Sequence, residues 1–104
     1  MTVSNAFALF MQEAPAHAEA WMQVAKSLDA ASALDKKTGE LAYIAVLAAT
    51  GNNSGIPFHV LSAKPHGATR QEVLSAVLVG LPAVGAVVTS AIPAAVEAYD
   101  GQNE

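Results

Sequence analysis

No cysteine occurs among the 104 residues. That absence excludes disulfides, Cys-ligated zinc, iron–sulfur clusters and every thiol mechanism. Charge is scarce as well: charged residues make up 13% of the chain, about half the usual share. Five basic residues stand against nine acidic ones, a formal net charge of −4. A nucleic-acid binder needs a basic stripe to displace counterions, so no nucleic-acid partner is expected. What is abundant is apolar: 53% of the residues, far too many for a disordered tail. The length allows one domain, residues 1–104. A domain of this size buries only roughly two thirds of its unfolded surface. Much apolar surface is therefore left over, for a membrane or for copies of the same chain to cover.

The pattern along the chain is helical throughout. Asn5 is a candidate N-cap for a short helix carrying Phe7, Leu9, Phe10 and Met11. Pro15 suits the first turn of a second helix. In it Trp21, Val24, Ala25 and Leu28 recur at spacings of three and four, with Trp21 expected to be a packing anchor. Asp35 can cap a third helix whose body, Leu41 to Thr50, is apolar on nearly all sides and so expected to be buried all round. The turn-rich Gly51-Asn52-Asn53-Ser54-Gly55 follows. Pro57 opens a fourth helix, which Pro65 limits. Thr69-Arg70-Gln71-Glu72 is a capping box for a fifth, with Val73, Leu74, Val77 and Leu78 on its apolar face. Gly80-Leu81-Pro82 breaks that helix. A last one is expected from about Pro82 to Tyr99, kinked or split at Pro93. The fold class is all-α, with about six helices and no strand.

From Val73 to Val96 the chain carries no charge, long enough to span a bilayer. The capping box at its start, the break at Gly80-Leu81-Pro82, Pro93 and the lack of basic flanks all oppose a span. The segment instead predicts subunit contacts, with Ala76, Gly85, Ala86 and Ala91 allowing close approach. No Lys or Arg precedes Lys26, and Glu13 follows the short apolar stretch Ala6 to Met11. This does not resemble a secretory leader, and a cytoplasmic location is expected. His17, His59 and His66 are scattered without a ligand spacing, so no metal is expected. His17 and His66 read as surface residues.

Leu34-Asp35-Lys36-Lys37-Thr38-Gly39-Glu40-Leu41, an Ala-rich helix, a Gly-Asn turn, His59, and Gly67-Ala68-Thr69 with Glu72 together resemble the carboxymuconolactone decarboxylase / alkylhydroperoxidase D-like family. The resemblance covers Leu28 to Gly85 well and the rest loosely. It implies an alkylhydroperoxidase D-like (AhpD-like) helical orthogonal bundle, assembled as a homo-oligomer, usually a trimer or hexamer. The family's redox members carry Glu, eleven residues, Cys-x-x-Cys, three residues, His. Here Glu40 is followed at the same spacing by Asn52, Gly55 and His59. The outer residues of the proton relay persist while both sulfurs are gone. A Cys-dependent peroxidase or disulfide reductase is excluded.

The resemblance then implies the family's non-thiol chemistry, removal of carbon dioxide from a carboxylated lactone or a related isomerisation, with no cofactor. Such a reaction needs an anion site and a group that protonates a carbanion-like carbon. His59 can do the second, since histidine exchanges protons near neutral pH. Asn53 to Phe58, read as a helix start, can hold a carboxylate of a small substrate, with Asn52, Asn53, Ser54 and Gly55 as the candidate binding residues. Glu40 and His59 are the candidate catalytic residues. In a plain antiparallel hairpin Glu40 lies ~15 Å before the turn and His59 only ~6–9 Å after it, so direct contact needs a steep crossing or a bridging water. Tyr43, one turn from Glu40, is expected in the core or bonded to Glu40. The structural alternatives are plain: a core histidine bonded to backbone or carboxylate, a first-turn acid at Glu40, ordinary turn asparagines. The rival function is a non-catalytic scaffold or small-ligand-binding oligomer that kept the fold after losing its thiols. An enzyme should have a cleft into which Glu40 and His59 both open, with His59 reachable by solvent; a relic should have His59 sealed and bonded to backbone.

Overall fold

A computed structural model describes residues 4–101. These residues are helical almost throughout and contain no strand. The α-helices are α1 (Asn5–Glu13), α2 (Pro15–Ala31), α3 (Lys36–Thr50), α4 (Ile56–Ala63), α5 (Arg70–Leu78), the single turn α6 (Leu81–Val84) and α7 (Ile92–Asp100). Short 3-10 segments at Asn53–Gly55, Lys64–His66 and Ala86–Ala91 join them. Six of the α-helices have eight residues or more.

The local signals act largely as expected. The Asp35 carboxylate accepts the Thr38 amide at 2.7 Å and caps α3. Both halves of the capping box form at α5: Glu72 N–H donates to Thr69 Oγ1 at 3.0 Å, and Thr69 N–H donates to Glu72 Oε1 at 2.9 Å. The first cap falls one residue earlier than Asn5: Ser4 Oγ accepts the Phe7 amide and Asn5 is already helical.

α3 ends on Gly51, whose φ of 75° is the left-handed conformation that favours glycine. The Gly51 and Asn52 amides then satisfy the carbonyls of Ala48 and Leu47. The final helix is broken at Gly85, and α7 starts anew at Ile92, beside Pro93, after the 3-10 segment Ala86–Ala91. Gly85 has φ 84° and ψ −162°, a region that side chains bar to other residues. Pro93 sits in the first turn of α7, where its missing N–H costs nothing.

The core lies between α3, α4, α5, α7 and the 3-10 segment Ala86–Ala91. It consists of Ile44, Ile56, Val60, Val73, Val77 and Val88 with six alanines. Among the described residues it contains no buried polar or charged side chain. Alanines let the helices approach closely but supply little apolar area each. The far end of α7 is clamped to the α4–α5 corner. Tyr99 OH donates to Ala68 O at 2.9 Å, and Arg70 meets the Asp100 carboxylate with two bonds of 3.0 and 3.2 Å.

Three burial expectations are corrected. α3 is not buried all round: Ile44 and Ala48 are, while Tyr43 and Val46 are 52% and 60% exposed. The chain covers α3 mainly on the sides facing α4, α5 and the 3-10 segment Ala86–Ala91. Trp21 is not a buried anchor: it is 57% exposed. Ala91 is fully buried in the core and unavailable for a subunit contact. His17 and His66 are exposed, as read from the sequence.

The capping box offers a direct test of this local reading. Thr69→Ala removes one cap and is expected to lower stability by ~1 kcal/mol, measured by urea unfolding, with helical content unchanged.

Candidate active site

Glu40 sits in the second turn of α3 and His59 in the middle of α4. The sequence does not imply a direct contact between them, and the structure shows one: His59 Nδ1 lies 2.7 Å from Glu40 Oε1. The turn between the helices supplies the reason. It does not run on past the end of α3 but folds back along it. The Asn52 amide bonds Leu47 O, and the Gly55 Cα lies so close that an added Cβ would sit 3.3 Å from Leu47 Cδ1. α4 therefore starts beside Leu47, three residues before the end of α3, which recovers ~4.5 Å of the missing distance. The long Glu40 side chain spans the rest.

The other carboxylate oxygen is also held. Ser62 Oγ donates to Glu40 Oε2 at 2.8 Å. Ser62 was not singled out from the sequence. The available signal was its position three residues after His59, on the same helix face.

The electrostatics fix the proton's place. Partial burial alone would push the Glu40 carboxyl up. The hydrogen bonds from His59 and Ser62, with the positive charge of His59 and Lys36, outweigh burial and hold it below its ordinary 4.5. An ionised carboxylate only accepts hydrogen bonds. His59 Nδ1 must then carry the hydrogen, a tautomer assigned from this bonding pattern. Nε2 is left with a lone pair when the ring is neutral and a proton when it is charged.

The ring is gripped on two further sides. Tyr43 stacks on it at 4.1 Å between centroids and 19° between planes. Phe58 meets it edge-on at 5.1 Å and 84°. Tyr43 therefore neither joins the core nor bonds Glu40; it forms a half-exposed wall of the site. The His59 side chain keeps 20% of its surface, and Glu40 keeps 13%. The imidazole is anchored and still reachable by solvent.

The candidate anion residues lie just ahead of α4. Asn53–Gly55 form a 3-10 turn before the helix proper begins at Ile56. Asn52 Nδ2 donates to Thr50 Oγ1 at 2.8 Å, and Asn53 Nδ2 to Ser90 Oγ and Ser90 O at 3.1 and 3.2 Å. The Gly55 and Ile56 amides close the turn on Asn52 O and Asn53 O. Ser54 is exposed. Asn53 Oδ1 is buried without a partner among the described residues. Among those residues no group of three or more His, Asp or Glu is placed to hold a metal ion. No helix among them is long and apolar enough to cross a membrane.

Fold and site together define a class: a cysteine-free, all-helical bundle with a carboxylate–imidazole pair bridging two central helices. The chain belongs to the carboxymuconolactone decarboxylase family, whose model matches residues 15–97. No curated protein and no solved structure matches the chain.

Two measurements check the electrostatic assignment. Nitrogen-15 NMR of His59 is expected to show the Nδ1–H tautomer when the ring is neutral, and Glu40→Gln to shift the population toward Nε2–H. The lowered Glu40 acidity also makes the pair a pH-dependent support. Because the folded carboxyl is more acidic than the unfolded one, its contribution is complete above pH 4.5 and is lost as pH falls through the folded value. Wild type is expected to lose its stability advantage over Glu40→Gln in that acid range, read from urea midpoints against pH.

Proposed function

We propose that this chain is a non-thiol enzyme of the carboxymuconolactone decarboxylase type, in which Glu40 and His59 transfer a proton on a small carboxylated, lactone-type metabolite. The observation that carries this reading is the 2.7 Å bond between His59 Nδ1 and an ionised Glu40, which leaves Nε2 as the exchangeable site. Family membership supports the class of reaction, and the absence of cysteine removes the thiol alternative.

In decarboxylation the bond between the carboxylate carbon and the ring breaks, and carbon dioxide leaves. The electron pair passes into the conjugated carbonyl system. His59 enters as imidazolium, stabilised by Glu40, and delivers the Nε2 proton to the carbon that holds the electron pair. Water then restores the proton to Nε2. In isomerisation neutral Nε2 removes a proton from one carbon and returns it to another, with no net proton change. Glu40 positions the ring and balances its charge in both cases. Ser62 keeps the Glu40 carboxylate oriented. The exposed Ser54 in the turn Asn52–Gly55, about one helical turn before His59, is the group this reading gives to a substrate carboxylate.

The test is carbon dioxide release or ultraviolet change from a panel of carboxylated lactones. His59→Gln is expected to lower kcat by at least ~100-fold, the usual worth of a positioned acid or base. Glu40→Gln is expected to lower it less and to alter its pH profile. Equal rates for wild type and His59→Gln would end the proposal. Saturable binding of these compounds without turnover would replace it with the ligand-binding reading.

A further inference from the structure

The helical hairpin of α1 and α2 is left bare by its own chain. Of its residues only Ala18 is buried. Trp21, Val24 and Leu28, spaced as one stripe along α2, are 57%, 46% and 66% exposed. Met22 and Leu9 add to the uncovered apolar surface. A helical pair that buries one alanine cannot hold itself together, because helix stability in proteins comes mainly from packing an apolar face.

The surplus can be sized. The chain exposes 6393 Å². An ordinary folded monomer of this mass exposes ~5,500 Å². The excess is ~900 Å², close to the ~800 Å² that each partner contributes to a stable interface. α2 is no appendage, since the family match begins at Pro15, its first residue.

A complementary surface lies on the body. Between α3 and α5 runs an open groove lined by five apolar residues, Leu41, Ala42, Ala45, Ala76 and Val79, together with Thr38, Ser75 and Glu72. Three of these five are alanines, which lets an incoming helix approach to the short end of the usual ~8–10 Å axis separation. From Thr38 to Ala45 the groove follows seven residues of helix, ~10 Å. The stripe from Trp21 to Leu28 also spans seven residues, the same ~10 Å. The bulky side chains are on the hairpin and the small ones in the groove.

We infer that α2 of one chain docks in the α3–α5 groove of a second copy of the same chain. The chemistry of the hairpin argues against a lipid surface: it carries Glu13, Glu19 and Asp29 against Lys26 alone, whereas interfacial helices are rich in basic residues. The contact is heterologous, hairpin to groove, so copies close into a ring or exchange hairpins in pairs. This places the subunit contact on α2, α3 and α5 rather than on the whole segment from Val73 to Val96. It stands apart from the proposed chemistry, and its test reads assembly alone.

The test uses the full chain, whose lack of cysteine gives a silent background for cross-linking. Sedimentation at tens of micromolar is expected to show a species larger than 10.6 kDa. Leu28→Lys and Val79→Lys each place a charge where the isolated chain is 66% and 67% exposed. Each is expected to weaken assembly at least tenfold while leaving helical content by circular dichroism unchanged. Val24→Cys and Val79→Cys chains, co-expressed and treated with a short bis-maleimide, are expected to join several-fold more than either variant alone. A wild type that remains monomeric would overturn the inference. So would linkage of Val24→Cys chains to one another as strong as in the mixture. Intrachain linkage in the doubly substituted chain would also overturn it, by showing that α2 folds onto its own groove.

Discussion

The Glu40 carboxylate is the constraint around which the site is built. A charged group drawn partly out of water needs partners, and a buried charge left alone costs several kcal/mol. Glu40 finds both of its partners, His59 and Ser62, on one helix. The mutual position of α3 and α4 is thus fixed by a polar interaction as well as by Ile44, Ala48, Ile56 and Val60 in the core. The backward-folding turn, closed by Gly51 and by the Asn52–Leu47 bond, brings the two helices into that register. Tyr43 and Phe58 then limit the ring's rotation, so one nitrogen is committed to the carboxylate and the other is left free of it.

The same economy of residue types shapes the rest of the molecule. A core half made of alanine gives tight helix packing and little buried area per residue. The larger apolar side chains, Trp21, Leu28, Tyr43, Val46 and Val79, lie on the outside of the single chain. The surplus of apolar residues evident in the composition therefore does not end up in the core. It is carried to the surface, where it forms a bulky stripe on one hairpin and a shallow, small-residue groove on the body.

Much of this was legible in the sequence. The all-α class followed from periodicity, and the Asp35 cap and the Thr69–Glu72 box were fixed by local chemistry that tertiary structure had no reason to override. The candidate pair Glu40 and His59 followed from residue types at a family spacing. Their contact did not, because a straight hairpin was the wrong geometry and nothing local encodes a turn that doubles back on Leu47. Ser62 escaped because a lone serine in a helix carries no signal until its neighbour across the helix pair is known. Periodicity said that Trp21 and the body of α3 are apolar, but not which chain covers them. The proline signal marks the start of α7 at Ile92, where a first-turn proline is harmless, whereas the further break at Gly85 rests on a backbone conformation that the sequence does not announce.

The missing thiols have a further chemical consequence. Among the described residues the remaining sulfur belongs to Met11 and Met22, both on the outlying hairpin and both exposed at 41% and 44%. Peroxide or an alkylating reagent meets no soft nucleophile around the carboxylate and imidazole. Sulfoxide formation, which makes a thioether polar, would fall on the hairpin instead. The centre of this molecule is thereby indifferent to the redox poise of its surroundings, unlike its thiol-bearing kin.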